Sequence, residues 1–157
     1  MKAMETASYF LSLAEKNNGH LTNLKLQKLL YYAQAWHIAL YKKPLFKDKI
    51  EAWTFGPVIK EVYKAYKEHC HSHICLECAK PKSLPKKSEA FLLKIYENFM
   101  PFTAKELTHM THSEEPWLKT YRKDKVEVIP QKLMGSFYSS LLKNSKKNQR
   151  KSARGKA

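Results

Sequence analysis

From Thr22 to about Lys42 the chain carries a helix-length run that is apolar on nearly every side. Leu26, Leu29, Leu30, Ala33, Trp36, His37 and Leu40 recur at the 3.6-residue spacing of one helical face. Tyr31, Tyr32, Ala35, Ile38 and Ala39 fill the other sides. A helix without a wet face must be surrounded by other elements. The sequence thus predicts a mainly α, single compact helical domain around a buried central helix over about residues 22–42. Thr22 is a favoured N-cap, and Pro44 stops the helix.

The remaining segments supply the surround. A first helix over about 4–17 places Ala7, Tyr9, Phe10, Leu13 and Ala14 inward, and Gly19 suits a left-handed C-cap. Leu45, Phe46 and residues 50–55 read as extended, with a small hairpin crossing residues 47–49. Gly56 and Pro57 read as a turn that opens a third helix, Pro taking the first helical position. Its apolar face is Val58, Ile59, Val62, Tyr63 and Tyr66. Residues 70–88 read as a loop. A fourth helix after Ser88 turns Phe91, Leu92, Ile95, Tyr96 and Phe99 inward. Thr103 and Glu106 form a capping box for a fifth, ending near His112. Pro116 and Trp117 begin a short helix, residues 126–129 are extended, and Pro130 opens the last helix. Its expected core residues are Leu133, Met134, Phe137, Tyr138, Leu141 and Leu142.

A length of 157 residues suits one domain with a sizeable core. No run of 18 apolar residues occurs, so no membrane span is expected. Glu5 and Glu15 interrupt the first apolar stretch, which reads as a folded helix and not as a leader. With three cysteines that suit a reducing compartment, the expected location is cytoplasmic. The net charge is +15. Residues 143–157 hold seven Lys and Arg, no acid, and no apolar side chain larger than Ala. The expected division is a folded domain over 1–142 and a basic, disordered tail over 143–157. Such a tail either solubilises the chain or meets nucleic acid or an acidic partner.

Little in the chain points to chemistry. Cys75 and Cys78 have the spacing of a zinc half-site, and Cys70, His71 and His73 lie close enough in sequence to complete four ligands. The alternative is a polar loop with incidental cysteines. His109 and His112 share a helix face and precede Glu114 and Glu115, but local packing around Trp117 explains them more simply. The four glycines are isolated at 19, 56, 135 and 155, so no phosphate-cradling loop exists. No nucleophile–base pair is evident. We assign no catalytic residue, expect no enzyme, and name no cofactor beyond a candidate structural zinc. Nine Tyr and three Trp are many for this length. Tyr31, Tyr32, Trp53 and Phe55 lie off the main stripe or at element ends, which makes them surface candidates of the type that anchors protein partners.

Three strings carry a resemblance. The first is Leu21-Thr22-Asn23-Leu24-Lys25-Leu26-Gln27-Lys28-Leu29-Leu30-Tyr31-Tyr32-Ala33-Gln34-Ala35-Trp36-His37. The second comprises Pro44-Leu45-Phe46, Ile50-Glu51-Ala52-Trp53, Phe55-Gly56-Pro57-Val58, Val62-Tyr63 and Tyr66. The third is Leu107-Thr108-His109 with Glu114-Glu115-Pro116-Trp117. Over about residues 3–120 the chain resembles the Panacea domain, the SocA-like antitoxin domain of toxin–antitoxin systems. The resemblance implies a mostly helical domain that binds a cognate toxin directly, and, in one branch, an adaptor that delivers the toxin to a Clp-type protease. The cysteine–histidine loop, the longer Leu-Thr-His-Met-Thr-His string and the basic tail depart from the family pattern. The expected partner surface comprises Lys25, Lys28, Tyr31, Tyr32, Trp53, Phe55, Gly56, Pro57, Glu115 and Trp117. The alternative reading is a nucleic-acid-associated or phage-linked regulator that uses the basic tail.

Overall fold

The computed structural model of the chain describes residues 1–75 and 83–154, the last four by backbone alone. Helix α1, Ala3–Lys16, stops in a left-handed turn. Asn18, at φ 52°, takes that conformation, while the N–H of Gly19 reaches the carbonyl of Ala14 at 2.7 Å. The expected left-handed residue was Gly19. Gly19 serves packing instead, because a Cβ there would sit 3.3 Å from Met100 Cε.

Helix α2, Asn23–Tyr41, is the centre of the molecule, as its pattern requires. The Thr22 hydroxyl accepts from the Lys25 N–H at 3.2 Å, and Lys42 closes the helix at φ 58°. Every residue from 26 to 35 is buried. The last two turns emerge: Trp36 and His37 are half-buried, and Leu40, expected inward, is 48% exposed.

Strands β1, Glu51–Trp53, and β2, Gly56–Val58, pair antiparallel with Glu51 opposite Val58 and Trp53 opposite Gly56. The hairpin therefore turns at Thr54 and Phe55, not across residues 47–49 as expected. Gly56, at φ 97°, and Pro57 belong to a strand and do not start a helix. Pro57 is tolerated because β2 is an edge of the sheet, whose order is β2-β1-β3. Strand β3 is Glu127–Val128. Helix α3, Lys60–Tyr66, begins only after Ile59 and ends in a single 3-10 turn, Lys67–His69.

Helices α4, Lys86–Phe99, and α5, Ala104–His112, pack against α2, and the Thr103–Glu106 capping box is formed. A short helix α6, Glu115–Thr120, leads towards α7, Gln131–Arg154. Met134 and Tyr138 bury α7 against α2, whereas Leu141, expected inward, is 39% exposed. Residues 143–154 continue α7 where disorder was expected. No Gly or Pro falls between 136 and 154, and Lys, Arg and Gln sustain a helix started by packing upstream. Side chains 143–150 are all exposed. No described helix is long and apolar enough to cross a membrane.

Candidate functional site

The polar residues of α2 hold other segments by their backbones. Gln34 donates to the Phe46 carbonyl at 2.8 Å and accepts from the Leu45 and Phe46 N–H groups at 2.8 and 3.2 Å. Gln27 accepts from the Ile59 N–H at 2.8 Å, and Asn23 donates to the Tyr63 carbonyl at 3.0 Å. Lys25 caps the Met100 carbonyl at 2.7 Å. Peptide groups outside regular structure need partners when buried. Here one helix supplies them, and the hairpin and the start of α3 are fixed in place as a result.

Lys28 continues this pattern one turn deeper. It is fully buried, and its ammonium reaches the Pro57 carbonyl at 3.2 Å. Burial drives its pKa down to about 7. Gly56 lies directly over it: a Cβ there would be 2.8 Å from Lys28 Cε and 2.8 Å from Thr111 Oγ1. Both the positive φ and the close approach demand glycine at this position.

Three phenols converge on one carboxylate. Glu114 accepts from Tyr138 at 2.5 Å, Tyr32 at 3.1 Å and Tyr31 at 3.4 Å. Burial raises the carboxyl pKa, and the three hydrogen bonds oppose that rise. Burial also pushes the three phenols up, and the negative charge beside them adds to it. Tyr31 and Tyr32 were expected at the surface. They are 0% and 1% exposed, because a carboxylate more than eighty positions along the chain accepts their hydroxyls. Lys28, Gly56, Pro57 and Trp117 are likewise interior.

Trp117 joins this frame to the surface. Its ring stacks on His112 at 4.0 Å and on Tyr121 at 4.5 Å, and its indole N–H donates to the Trp53 carbonyl at 2.9 Å. Burial and then the Lys28 charge lower the His112 pKa. Above the frame lies a groove of about 790 Å³ between the hairpin, α3 and residues 121–126. Trp53, Phe55, Tyr63, Tyr121 and Val126 give it an aromatic and apolar wall. Phe55, at the hairpin tip, is 67% exposed. Lys67, Arg122, Lys123 and Lys125 give it a basic rim, with Asp124 among them. Such a surface can seat an apolar side chain and orient an acidic neighbour.

Of the expected partner residues, Trp53 and Phe55 line the groove, and Gly56, Pro57, Lys28 and Trp117 support it from beneath. Lys25 sits against the end of α4, and Glu115 pairs with Lys119 on the outer side of α6. Sequence reasoning missed Glu114, Tyr121 and the role of Gln27 and Gln34. Tyr121 follows Trp117 by four positions, a spacing that signals one helical face. The cysteine–histidine loop is split. Cys70 and His71 line the groove, whereas His73 and Cys75 line another pocket, where His73 stacks on His20 at 4.5 Å. Cys78 lies outside the described residues. Among the described residues no three His, Cys, Asp or Glu side chains are placed to hold a metal.

A family model described as "Antitoxin SocA-like, Panacea domain" matches residues 26–118, more than half of the chain. The chain belongs to this antitoxin family. The matched span of the Panacea domain contains Gln27, Lys28, Tyr31, Tyr32, Gly56, Glu114 and Trp117, while α7 lies outside it. Antitoxin SocA of Caulobacter vibrioides (strain NA1000 / CB15N) is 38% identical over 64 residues, which cover 41% of this chain and 34% of that protein. The match thus spans about a third of the length of that curated relative. No solved structure matches. Within this span of the Panacea domain Gln27, Lys28, Tyr31 and Tyr32 face inward, and the aromatic groove opens to solvent above them.

Proposed function

We propose that this Panacea domain is a cytoplasmic antitoxin that neutralises a cognate toxin by direct contact in the aromatic groove, without turnover of its own. One observation carries the reading: Phe55 and Tyr63 stand exposed, with half-buried Tyr121 beside them, on backbone clamped from within by α2 and Trp117. Rigid aromatic groups lose little freedom on binding, and so make efficient anchors. The family resemblance extends the reading to a second step, in which the bound toxin is presented to a Clp-type protease.

The test is co-expression with the adjacent gene, followed by purification of the pair. Phe55→Ala and Tyr121→Ala should each weaken the complex by at least about 1–2 kcal/mol, with the free domain still folded and the unfolding midpoint of Phe55→Ala nearly unchanged. Unchanged affinity in both variants would move the interface away from the groove. Sub-stoichiometric antitoxin that silences excess toxin, with no protease present, would mean turnover and overturn the reading. With a purified Clp-type protease added, loss of toxin should depend on this chain.

A further inference from the structure

The face of α7 that turns away from the core is cationic along most of its length. Met134 and Tyr138 point inward. At about 100° per residue, Lys132, Ser139, Lys143, Lys146 and Arg150 fall within about 40° of a single line on the opposite side. Ser136 and Lys147 flank that line. Helix α7 contains no acidic residue. None of the described ion pairs involves these cations. From Lys132 to Arg150 the row extends about 27 Å, at 1.5 Å per residue.

The row also continues onto the folded domain. Lys42, in its left-handed cap, donates to Ser139 Oγ at 2.9 Å and to the Ala39 carbonyl at 2.7 Å. A shallow cavity of about 490 Å³ opens there, lined by Lys42, Lys132, Ser136, Ser139, Ser140 and Lys143, with Ile38 and Gly135 as its floor. Lysines interleaved with hydroxyls are the groups that meet phosphate oxygens.

We infer that this face of α7, together with Lys42, binds the sugar–phosphate backbone of double-stranded DNA, independently of sequence. A straight, rigid row of cations matches a straight, rigid polyanion. The row includes no aromatic ring on which unpaired bases would stack, which disfavours single strands. Its lysines and hydroxyls are the groups that meet phosphate oxygens and fix a protein along the duplex without reading it, so the contact is to the backbone. The surface differs from a loose basic tail because part of it lies in the first turns of α7 and at the end of α2. It is independent of the toxin reading, whose groove is built from other residues.

The experiment uses the full chain and a fluorescent duplex of about 20 base pairs, with anisotropy read between about 50 and 200 mM salt. The quadruple variant Lys132→Gln, Lys143→Gln, Lys146→Gln, Arg150→Gln should bind at least about tenfold more weakly and flatten the log–log salt slope by about 3–4. A control that removes equal charge elsewhere, Lys16→Gln, Lys47→Gln, Lys60→Gln, Lys64→Gln, should stay within about threefold. Ser139→Glu alone, placed within the folded part of the row, should weaken binding by about 3–10-fold. Thermal midpoints close to that of the parent chain verify that each variant is folded. Equal losses in the two quadruple variants would reduce the effect to net charge and overturn the inference. Full affinity in Ser139→Glu would overturn the continuous face in favour of the last turns alone. Tighter binding of single-stranded RNA or of polyglutamate than of the duplex would also overturn it.

Discussion

Tyr31, Tyr32 and Tyr138 lie inside the molecule, and Phe55, Tyr63 and Tyr121 lie along the groove above it. Both sets are aromatic, and both belong to the same small region around α2 and the hairpin. The interior rings end in hydroxyls that share one carboxylate, so nothing polar is left over. Tyr63 leans on Trp53 and Tyr121 on Trp117, while Phe55 stands 67% exposed at the hairpin tip. The difference shows that residue type alone does not mark a binding surface. An aromatic ring with a satisfied interior partner has already been used by the fold, whereas one held firmly but left uncovered is free for another molecule.

The largest test of this contrast is Glu114→Ala. Removing the acceptor leaves three phenols unpaired in a closed interior, and the expected loss is about 3–5 kcal/mol in urea unfolding at neutral pH. An unchanged midpoint would mean that the interior rings are no more committed than those of the groove.

Next in size is a pH effect from Lys28. The unfolded chain holds the lysine proton up to the ordinary value near 10.5, while the folded chain releases it at about 7. Between those limits the unfolded state binds the extra proton, so stability rises as pH increases through this window. Relative to a Lys28→Met variant, the parent chain should gain roughly 2 kcal/mol between about pH 7.5 and 9.5. Parallel stability curves for the two proteins would place Lys28 in water and dissolve the interior frame.

The smallest effect sharpens the other side of the comparison. Phe55→Ala and Tyr63→Ala should each change the stability of the free domain by no more than about 0.5 kcal/mol, as surface substitutions do. A loss above about 2 kcal/mol would transfer that ring from the groove to the frame.

The signals that were legible in the sequence were local. The Thr22 cap and the Thr103–Glu106 box depend on residues within one turn, and both are formed. The all-round apolar pattern of α2 identified the centre, since burial on every side leaves no other arrangement. The hairpin is hidden in the sequence because Gly56 and Pro57 resemble a helix start, and only pairing with Trp53 and Ala52 together with the close approach of Lys28 shows them to be strand. Tyr31 and Tyr32 read as surface residues in the sequence because Glu114 is remote in the chain, and no spacing rule connects them. The same limit hid the row on α7. Read as sequence, its last turns are a charge-rich tail, and only the helix aligns them with Lys132, Ser139 and Lys42.

Tyr138 gives the hydrogen bond to Glu114 a mechanical aspect. Helix α7 extends about 24 Å beyond Tyr138 to Arg154, at 1.5 Å per residue. Leu142 still packs against the core, so about 18 Å of helix stands beyond the last packed turn, and a tilt of about 10° there displaces the far end by about 3 Å. The carboxylate that secures two tyrosines of α2 therefore also helps to hold the base of the longest described helix, and any tilt of that base is read out, enlarged, at the tip of α7.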